Sequence, residues 1–207
     1  MIINNIFAMN LSIINKKIYF MMKKSYLTFA FLLSFLVISK AQFGVRAGLN
    51  FASTKFEVLG LNADTDSKVG FHVGLVNDFS LSEKLTFRPG VLFSLKGGKT
   101  DESSSTYTYI DVPLSLVYNF TEAEKGFFLE AGPYVGLLLA AKNEDDDIKE
   151  GFNTLDFGLN IGLGYDLGSF ILGANYGFGL ANIAKEEDGA DITAKNANIS
   201  IYGIYQF

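Results

Sequence analysis

The stretch that decides the fold reads LDFGLNIGLGYD and runs from Leu155 to Asp166. Every odd-numbered residue in it carries a large apolar or aromatic side chain, and every even-numbered residue is glycine or polar. Successive side chains of a β-strand point to opposite faces, so this strict alternation predicts a strand with one apolar and one polar face.

Seven more segments after Gln42 alternate in the same way. The eight segments are residues 43–53, 68–80, 85–96, 106–120, 127–141, 152–167, 170–181 and 197–207. Their apolar register offers far more large side chains than the narrow interior of a soluble eight-stranded barrel holds, whereas lipid solvates all of them. We therefore predict an all-β fold, an eight-stranded antiparallel up-and-down transmembrane β-barrel whose polar register faces the lumen.

The connections between the segments alternate in length, which supports the same fold. Residues 54–67, 97–105, 142–151 and 182–196 form long connections, and residues 81–84, 121–126 and 168–169 form short ones. Barrels of the bacterial outer membrane have short periplasmic turns and longer outer loops. An even number of strands then leaves both ends of the barrel on the periplasmic side.

The residues before Gln42 carry the pattern of a targeting segment. Two lysines at 23–24 precede an apolar run over residues 26–39, and Ser39-Lys40-Ala41 presents small residues at the −3 and −1 positions of a cleavage site. This order is typical of a secretory signal peptide, so we expect residues 22–41 to be removed after Ala41 and residues 42–207 to form the barrel domain. Residues 1–21 fit no part of this scheme, and we expect them to be a non-native upstream extension, with translation starting at Met21 or Met22.

Charge and composition exclude several classes of function. Five of the 17 basic residues and none of the 22 acidic residues precede Gln42, so the barrel domain is strongly acidic. Such a surface disfavours nucleic-acid binding, which needs basic patches. The absence of cysteine excludes disulfides, thiolate metal sites and cysteine nucleophiles.

Charged residues in the polar register are the candidate site. They are Arg46, His72, Arg88, Lys96, Asp111, Glu130 and Asp156. Charges inside a narrow barrel have to be paired and hydrogen-bonded, so we expect the arginines and the lysine to pair with Asp111, Glu130 and Asp156 as a structural plug. A narrow ion path or a small-ligand site is the alternative for the same residues.

No chemistry beyond this network is predicted. The lone histidine, His72, has only carboxylates available as partners for a catalytic dyad or a metal site, so we expect no catalytic residues, no metal, no cofactor and no enzyme activity. The acidic stretches at 144–147 and 186–188 lack the ligand spacing of a calcium loop and are expected to be solvated outer loops.

Three motifs resemble the outer-membrane β-barrel domain proteins (PorT-like) of Bacteroidota. They are AQFGVRAGLNF at 41–51, YIDVPL at 109–114 and AGPYVG at 131–136. The resemblance spans nearly all of residues 42–207 and implies a cell outer membrane location after export. It implies no particular activity, because fold alone does not supply function. The terminal Tyr205 and Phe207 also resemble the signal that the barrel-assembly machinery reads.

Three functions remain open from the sequence. The first is a structural, adhesion or secretion-accessory barrel, a monomer surrounded by outer-membrane lipid that contacts the assembly machinery during biogenesis and an unknown protein partner through its loops. The second is a narrow pore or small-ligand passage. The third is a soluble periplasmic ligand-binding barrel.

Overall fold

The computed structural model describes residues 42–58, 61–101, 103–121, 125–185 and 192–207. The predicted upstream extension, signal peptide and cleavage site fall on residues 1–41 and lie outside this part of the chain. Among the described residues, no helix combines the length and apolar character needed to cross a membrane.

Eight long strands follow one another along the chain. They are β1 (Gln42–Val58), β2 (Asp66–Ser80), β3 (Leu85–Lys99), β4 (Ser104–Asn119), β5 (Gly126–Asn143), β6 (Leu155–Asp166), β7 (Phe170–Gly179) and β8 (Ile192–Gln206). Two short strands, Leu61–Asp64 and Asp146–Asp147, and a 3₁₀ turn at Lys149–Gly151 lie in the connections.

Each strand pairs antiparallel with the next, and β8 returns to pair with β1. In the closing pair, Gly44 lies opposite Gln206 and Val58 lies opposite Ile192. The predicted eight-stranded antiparallel barrel is thereby confirmed. Closure leaves no unpaired strand edge, which is the condition for placing a sheet in lipid.

Several strands are longer than the alternating segments that predicted them. β1 continues to Val58 and β8 begins at Ile192, so residues expected in long loops pair across the barrel seam. The outward positions of this extension carry Lys55 and Glu57, and the apolar half of the pattern is lost there although the backbone ladder continues. The hydrophobic signal marks the apolar belt of a strand, whereas hydrogen bonding sets the strand's end.

Outward side chains of the barrel form an exposed apolar belt. Leu75, Ile161 and Leu163 are 59%, 57% and 59% exposed, whereas the lumen residues Glu130 and Asp156 are 1% and 0% exposed. A water-soluble barrel has the opposite arrangement, with its apolar side chains inside and its charges outside. The belt is therefore a surface for lipid.

Aromatic side chains gather where the strands meet the short turns. They are Phe43, Phe79, Phe87, Tyr118, Phe120, Phe127, Tyr165, Phe170, Tyr205 and Phe207. Neighbours within this ring contact each other, as in the edge-to-face pair of Phe127 and Tyr165 with ring centroids 4.9 Å apart. Aromatic girdles mark the membrane–water interfaces of transmembrane barrels. We call this end the short-turn end and the opposite one the long-loop end.

Candidate functional site

All seven charged residues predicted for the lumen are buried inside the barrel, each at most 7% exposed. They are Arg46, His72, Arg88, Lys96, Asp111, Glu130 and Asp156. Their positions follow from the alternation of each strand, because residues two apart share one face of the sheet. The structure brings them into several separate contacts along the lumen.

Arg88 pairs with a carboxylate that the sequence reasoning left out of its charge list. Its Nε and Nη2 donate to Oδ1 and Oδ2 of Asp78, both at 2.6 Å. Gln206 Nε2 donates to the same Asp78 at 2.8 Å, near the short-turn end. Arg88 was expected to pair with Asp111, Glu130 or Asp156, and this expectation is wrong. Its partner is Asp78, because the two residues lie at facing lumen positions of the β2–β3 hairpin.

Lys96 pairs with Asp111, one of the expected carboxylates. Lys96 lies opposite Tyr107 and Asp111 lies opposite Leu92 in the pairing of β3 and β4, so the two side chains reach along the lumen to approach to 2.9 Å. The ammonium of Lys96 also lies 4.9 Å from the ring centroids of Tyr109 and Tyr134. Aromatic faces stabilise a desolvated cation at such distances.

Glu130 and Asp156 receive hydrogen bonds from neutral groups, and neither forms an ion pair with a described residue. Asn196 Nδ2 and the Tyr134 hydroxyl donate to Asp156 Oδ2 at 2.9 and 3.2 Å. Asn175 Nδ2 donates to Glu130 Oε1 at 3.0 Å. The expected pairing of these carboxylates with arginine or lysine is wrong, since their hydrogen-bond partners are asparagines that reach across the lumen from the second strand along and a tyrosine from the adjacent strand.

Arg46 is held by two ring systems. Its guanidinium carbon lies 3.5 Å from the centroid of the Tyr202 ring, and its Nε donates to His72 Nε2 at 3.2 Å. His72 Nε2 is thus an acceptor, so Nδ1 carries the proton and donates to Asn50 Oδ1 at 2.9 Å. His72 orients a cation here, and its two ring nitrogens are both engaged.

An apolar layer crosses the lumen towards the short-turn end, and the sequence analysis missed it. It consists of Val76, Leu92, Val117, Phe128, Ile171, Tyr202 and Ile204. These residues come from six of the eight strands. In the other two strands Gly44 lies beneath Val76 and Ile204, and Gly164 lies beneath Phe128. The sequence does contain a signal for this layer, because each of its residues is an apolar residue in the lumen-facing, otherwise polar register of its strand. We call this group the turn-side layer.

A second apolar group, the loop-side layer, lies towards the long-loop end of the lumen, on β4, β5 and the connection after β5. It consists of Tyr107, Tyr109, Leu138 and Ala141, with Ile148 and Phe152 packed against them. Ile148 and Phe152 belong to loop L3, residues 144–154, which folds back over the barrel. Phe152 was predicted to open a strand, but it precedes β6 and its ring lies 5.1 Å from that of Tyr107.

Loop L3 is fastened to loop L4, residues 180–191. Asn153 Nδ2 donates to the carbonyl oxygens of Asn182 and Ala184, each at 3.0 Å. Asn182 in turn accepts from the backbone N–H of Ala194 at 2.8 Å, which ties L4 to the edge of β8. Two asparagines therefore hold the described parts of both loops together as a lid.

Between the two layers lies a polar chamber of about 40 Å³. Its lining includes Arg46, Asn50, His72, Ser94, Lys96, Asp111, Tyr134, Asn160, Asn175, Asn196, Asn198 and Ser200. A second polar cavity of about 100 Å³ opens at the short-turn end beside Asp78, Arg88 and Gln206. No cluster of three metal-ligating side chains occurs among the described residues.

The last residues of the chain complete the seam. Tyr205 and Phe207 face outward, with ring centroids 5.2 Å apart, and the Phe207 N–H donates to the Phe43 carbonyl at 2.9 Å. The assembly signal predicted at these two residues stays a prediction.

Comparison with known proteins agrees with this geometry. A family model described as "Outer membrane protein beta-barrel domain" matches residues 22–185. The chain belongs to this family. No curated protein matches it.

Solved structures similar to this family member are also barrels. Neisserial surface protein A (NspA) has a TM-score of 0.53 at 17% identity, over 82% of this chain and 100% of that chain. Ail of Yersinia pestis has a TM-score of 0.46 at 14% identity over 82% and 100% of the two chains. The outer membrane enzyme PagL has a TM-score of 0.47 at 14% identity over 75% and 98%. At 17% identity the likeness to NspA shows the fold alone.

Family membership and the apolar belt together locate this outer membrane barrel. Its exposed apolar side chains face lipid, and its short turns face the periplasm as in other barrels of this membrane. The long-loop end then faces the outside of the cell. The outer-membrane location leaves the soluble periplasmic alternative without support.

Proposed function

We propose that this barrel is a closed structural scaffold that presents its outer loops to a partner and neither conducts solutes nor catalyses a reaction. The observation that carries the proposal is the content of the lumen. Side chains of the turn-side layer and the loop-side layer occupy it and leave only a small polar chamber. A chamber of about 40 Å³ has room for about three water molecules. Such a lumen supports anchoring over transport.

The lid formed by L3 and L4 supports a role in recognition. Four consecutive acidic residues at 144–147 lie at the tip of a small hairpin in which Lys142 pairs with Asp147 and Asn143 with Asp146. All four are exposed, and none forms an ion pair with a described residue. A surface ordered in advance loses less entropy on binding than a mobile loop.

The absence of catalysis is part of the same proposal. His72 is enclosed between the two apolar layers and uses both ring nitrogens for Arg46 and Asn50. A general base needs to reach a proton of a bound substrate, and a substrate has no entry to this position through the filled lumen. The narrow-pore alternative meets the same obstacle.

The barrel is, in this proposal, a PorT-like protein of the Bacteroidota type, as its sequence resemblance implies. The resemblance rests on the motifs at 41–51, 109–114 and 131–136, and it implies a fold and a location without singling out an activity. We propose that the barrel is monomeric in outer-membrane lipid and meets the barrel-assembly machinery only during biogenesis.

Site-specific cross-linking in the native outer membrane tests the loop role. A photoreactive residue replaces Asp146 at the exposed hairpin tip, and the same residue replaces the exposed Glu83 at the short-turn end as the control. We expect a protein adduct from position 146 that disappears when Glu144→Gln, Asp145→Asn and Asp147→Asn are combined. No adduct from position 146, or one that is insensitive to the neutralised loop, contradicts the proposal.

A further inference from the structure

Asn77 is a polar side chain in the outward, otherwise apolar register of β2. Its neighbours in sequence, Val76 and Asp78, both face the lumen, so the side chain of Asn77 points towards the membrane. It is 7% exposed, and neither its Nδ2 nor its Oδ1 has a hydrogen-bond partner among the described residues. A buried amide without a partner destabilises a fold, and the hydrocarbon of a bilayer offers it none. Asn77 therefore calls for a polar group that the membrane supplies.

The position of Asn77 is next to the aromatic ring of the short-turn end. Phe43 lies directly opposite it on β1, and Phe79 follows two residues along β2 in the same outward register. Aromatic girdles mark the level of the lipid headgroups. A phospholipid presents ester carbonyls at the boundary between its headgroup and its chains, and a carbonyl oxygen accepts hydrogen bonds from an amide N–H. The depth of Asn77 thus matches the ester region of a phospholipid.

An apolar groove of about 510 Å³ opens to the membrane on the same side of the barrel, across β7, β8 and β1. The outward surface is low where Ala47 lies opposite Gly203, because neither residue has a long side chain. Val45 forms the part of the groove nearest to Asn77, one step along β1 from Phe43. The groove is continuous with the lipid-facing belt, so the occupant that fits it is a hydrocarbon chain.

We propose that this face binds one diacyl phospholipid of the periplasmic leaflet, with an ester carbonyl accepting a hydrogen bond from Asn77 Nδ2 and an acyl chain in the groove over Ala47 and Gly203. We call it the seam lipid site. The leaflet follows from the short-turn end, which faces the periplasm. The lipid acts as a fixed part of the barrel wall beside the pairing of β1 and β8, and the site is independent of the role proposed for the outer loops.

Access to Asn77 depends on a movable neighbour. The ring of Phe43 is 48% exposed, and exposed side chains change rotamer within picoseconds to nanoseconds. A lipid that turns this ring aside reaches the amide, and only a lipid with an acceptor at that depth gains the hydrogen bond. The site therefore discriminates between lipids by their linkage chemistry as well as by their chains.

Native mass spectrometry of barrel extracted from outer membranes in mild detergent tests the groove. We expect the wild type to retain one phospholipid and Gly203→Leu, which fills the groove, to lose it. A Cβ at Gly203 meets only the exposed ring of Phe170, at 3.1 Å, so this variant is expected to fold. The control Ala131→Leu enlarges an exposed outward residue of β5, away from the groove, and is expected to keep the lipid.

Three results of that measurement overturn the inference. They are a wild-type barrel that carries no phospholipid, equal retention by Gly203→Leu and the wild type, and lipopolysaccharide or a second barrel bound in place of the phospholipid.

Competition between ester-linked and ether-linked phospholipids with the same headgroup and chains tests Asn77. The ether-linked lipid lacks the carbonyl acceptor, so we expect the wild type to bind it about two- to tenfold more weakly, the effect of one neutral hydrogen bond. Asn77→Leu is expected to bind both lipids equally. Equal binding of the two lipids by the wild type, or an unchanged preference in Asn77→Leu, overturns the inference.

Discussion

At the scale of single residues, Tyr202 joins the turn-side layer to the polar chamber. It packs in the apolar layer, its ring supports the guanidinium of Arg46, and it lies edge-on to His72 at 6.5 Å between ring centroids. The ring has room because the residue paired with it on β7 is Gly173. A Cβ at Gly173 would collide with the Tyr202 ring and hydroxyl.

Gly173→Ala is therefore expected to push Tyr202 off Arg46 and to destabilise the barrel by about 1–3 kcal/mol, the usual cost of overpacking a dense interior. Urea unfolding in lipid vesicles measures the loss. Gly151→Ala is the matched control, because a Cβ at Gly151 meets nothing within 4 Å, and its stability is expected to stay within about 0.5 kcal/mol of the wild type. Equal stability of the two variants would show that the close approach at Gly173 is unimportant.

The pair of Arg88 and Asp78 gives a second prediction at this scale. Arg88→Leu leaves the carboxylate of Asp78 buried without its cation, which typically costs about 3–5 kcal/mol. The double variant Arg88→Leu/Asp78→Leu removes both charges and is expected to recover a large part of that loss in the same unfolding measurement. A double variant less stable than Arg88→Leu alone contradicts the assignment of Asp78 as the partner.

The sequence predicted which residues enter the lumen and less well which of them meet. Alternation fixes the face of each side chain, so Arg46, Lys96 and Asp111 were correctly assigned to the interior. Pairing depends on the stagger between neighbouring strands, which alternation alone does not reveal, and this is why Asp78 was overlooked as the partner of Arg88. Ile171 and Val76 were overlooked because each is a single apolar residue in an otherwise polar register of its strand. In the folded barrel such residues from different strands pack together in the turn-side layer.

At the scale of elements, some strands continue beyond their alternating apolar segments, and hydrogen bonds hold two of the long loops together. β1 and β8 continue beyond the apolar belt, and L3 and L4 close over the barrel through Asn153 and Asn182. Neither feature follows from periodicity, since residues outside the membrane have no need for an apolar face. Side-chain amides that bond backbone carbonyls hold the lid together.

Asn153→Ala is expected to loosen the lid without unfolding the barrel, because it removes two hydrogen bonds to L4 and leaves the strand ladder intact. Amide hydrogen exchange should become faster in residues 148–153 and 180–185, with the strands unchanged. Asn143→Ala is the control, since the Asn143 side-chain oxygen has no hydrogen-bond partner and Asn143 is the last residue of β5, directly before L3. Unchanged exchange in the Asn153 variant contradicts the lid.

At the scale of the whole molecule, the barrel is inverted relative to a soluble protein, with polar groups inside and apolar groups outside. Arginine at the bilayer midplane of such a barrel typically costs about 2–4 kcal/mol, whereas near the interface it costs about 0–1 kcal/mol. Leu75 in the interior of the belt and Leu81 in a short turn are equally exposed, at 59% and 58%.

Leu75→Arg is thus expected to destabilise the barrel in phospholipid vesicles by about 2–4 kcal/mol, and Leu81→Arg by about 1 kcal/mol or less. The comparison isolates depth in the membrane, because the substitution and the exposure are the same. Equal losses at both positions would contradict the location of the belt in the bilayer.

Single-channel recording in planar bilayers distinguishes a closed lumen from a narrow pore. The purified barrel is expected to insert without producing discrete conductance steps, because the turn-side and loop-side layers fill the lumen on both sides of a chamber of about 40 Å³. Reproducible channels from the wild-type protein, altered by Arg88→Ala, would contradict the account and favour a narrow pore.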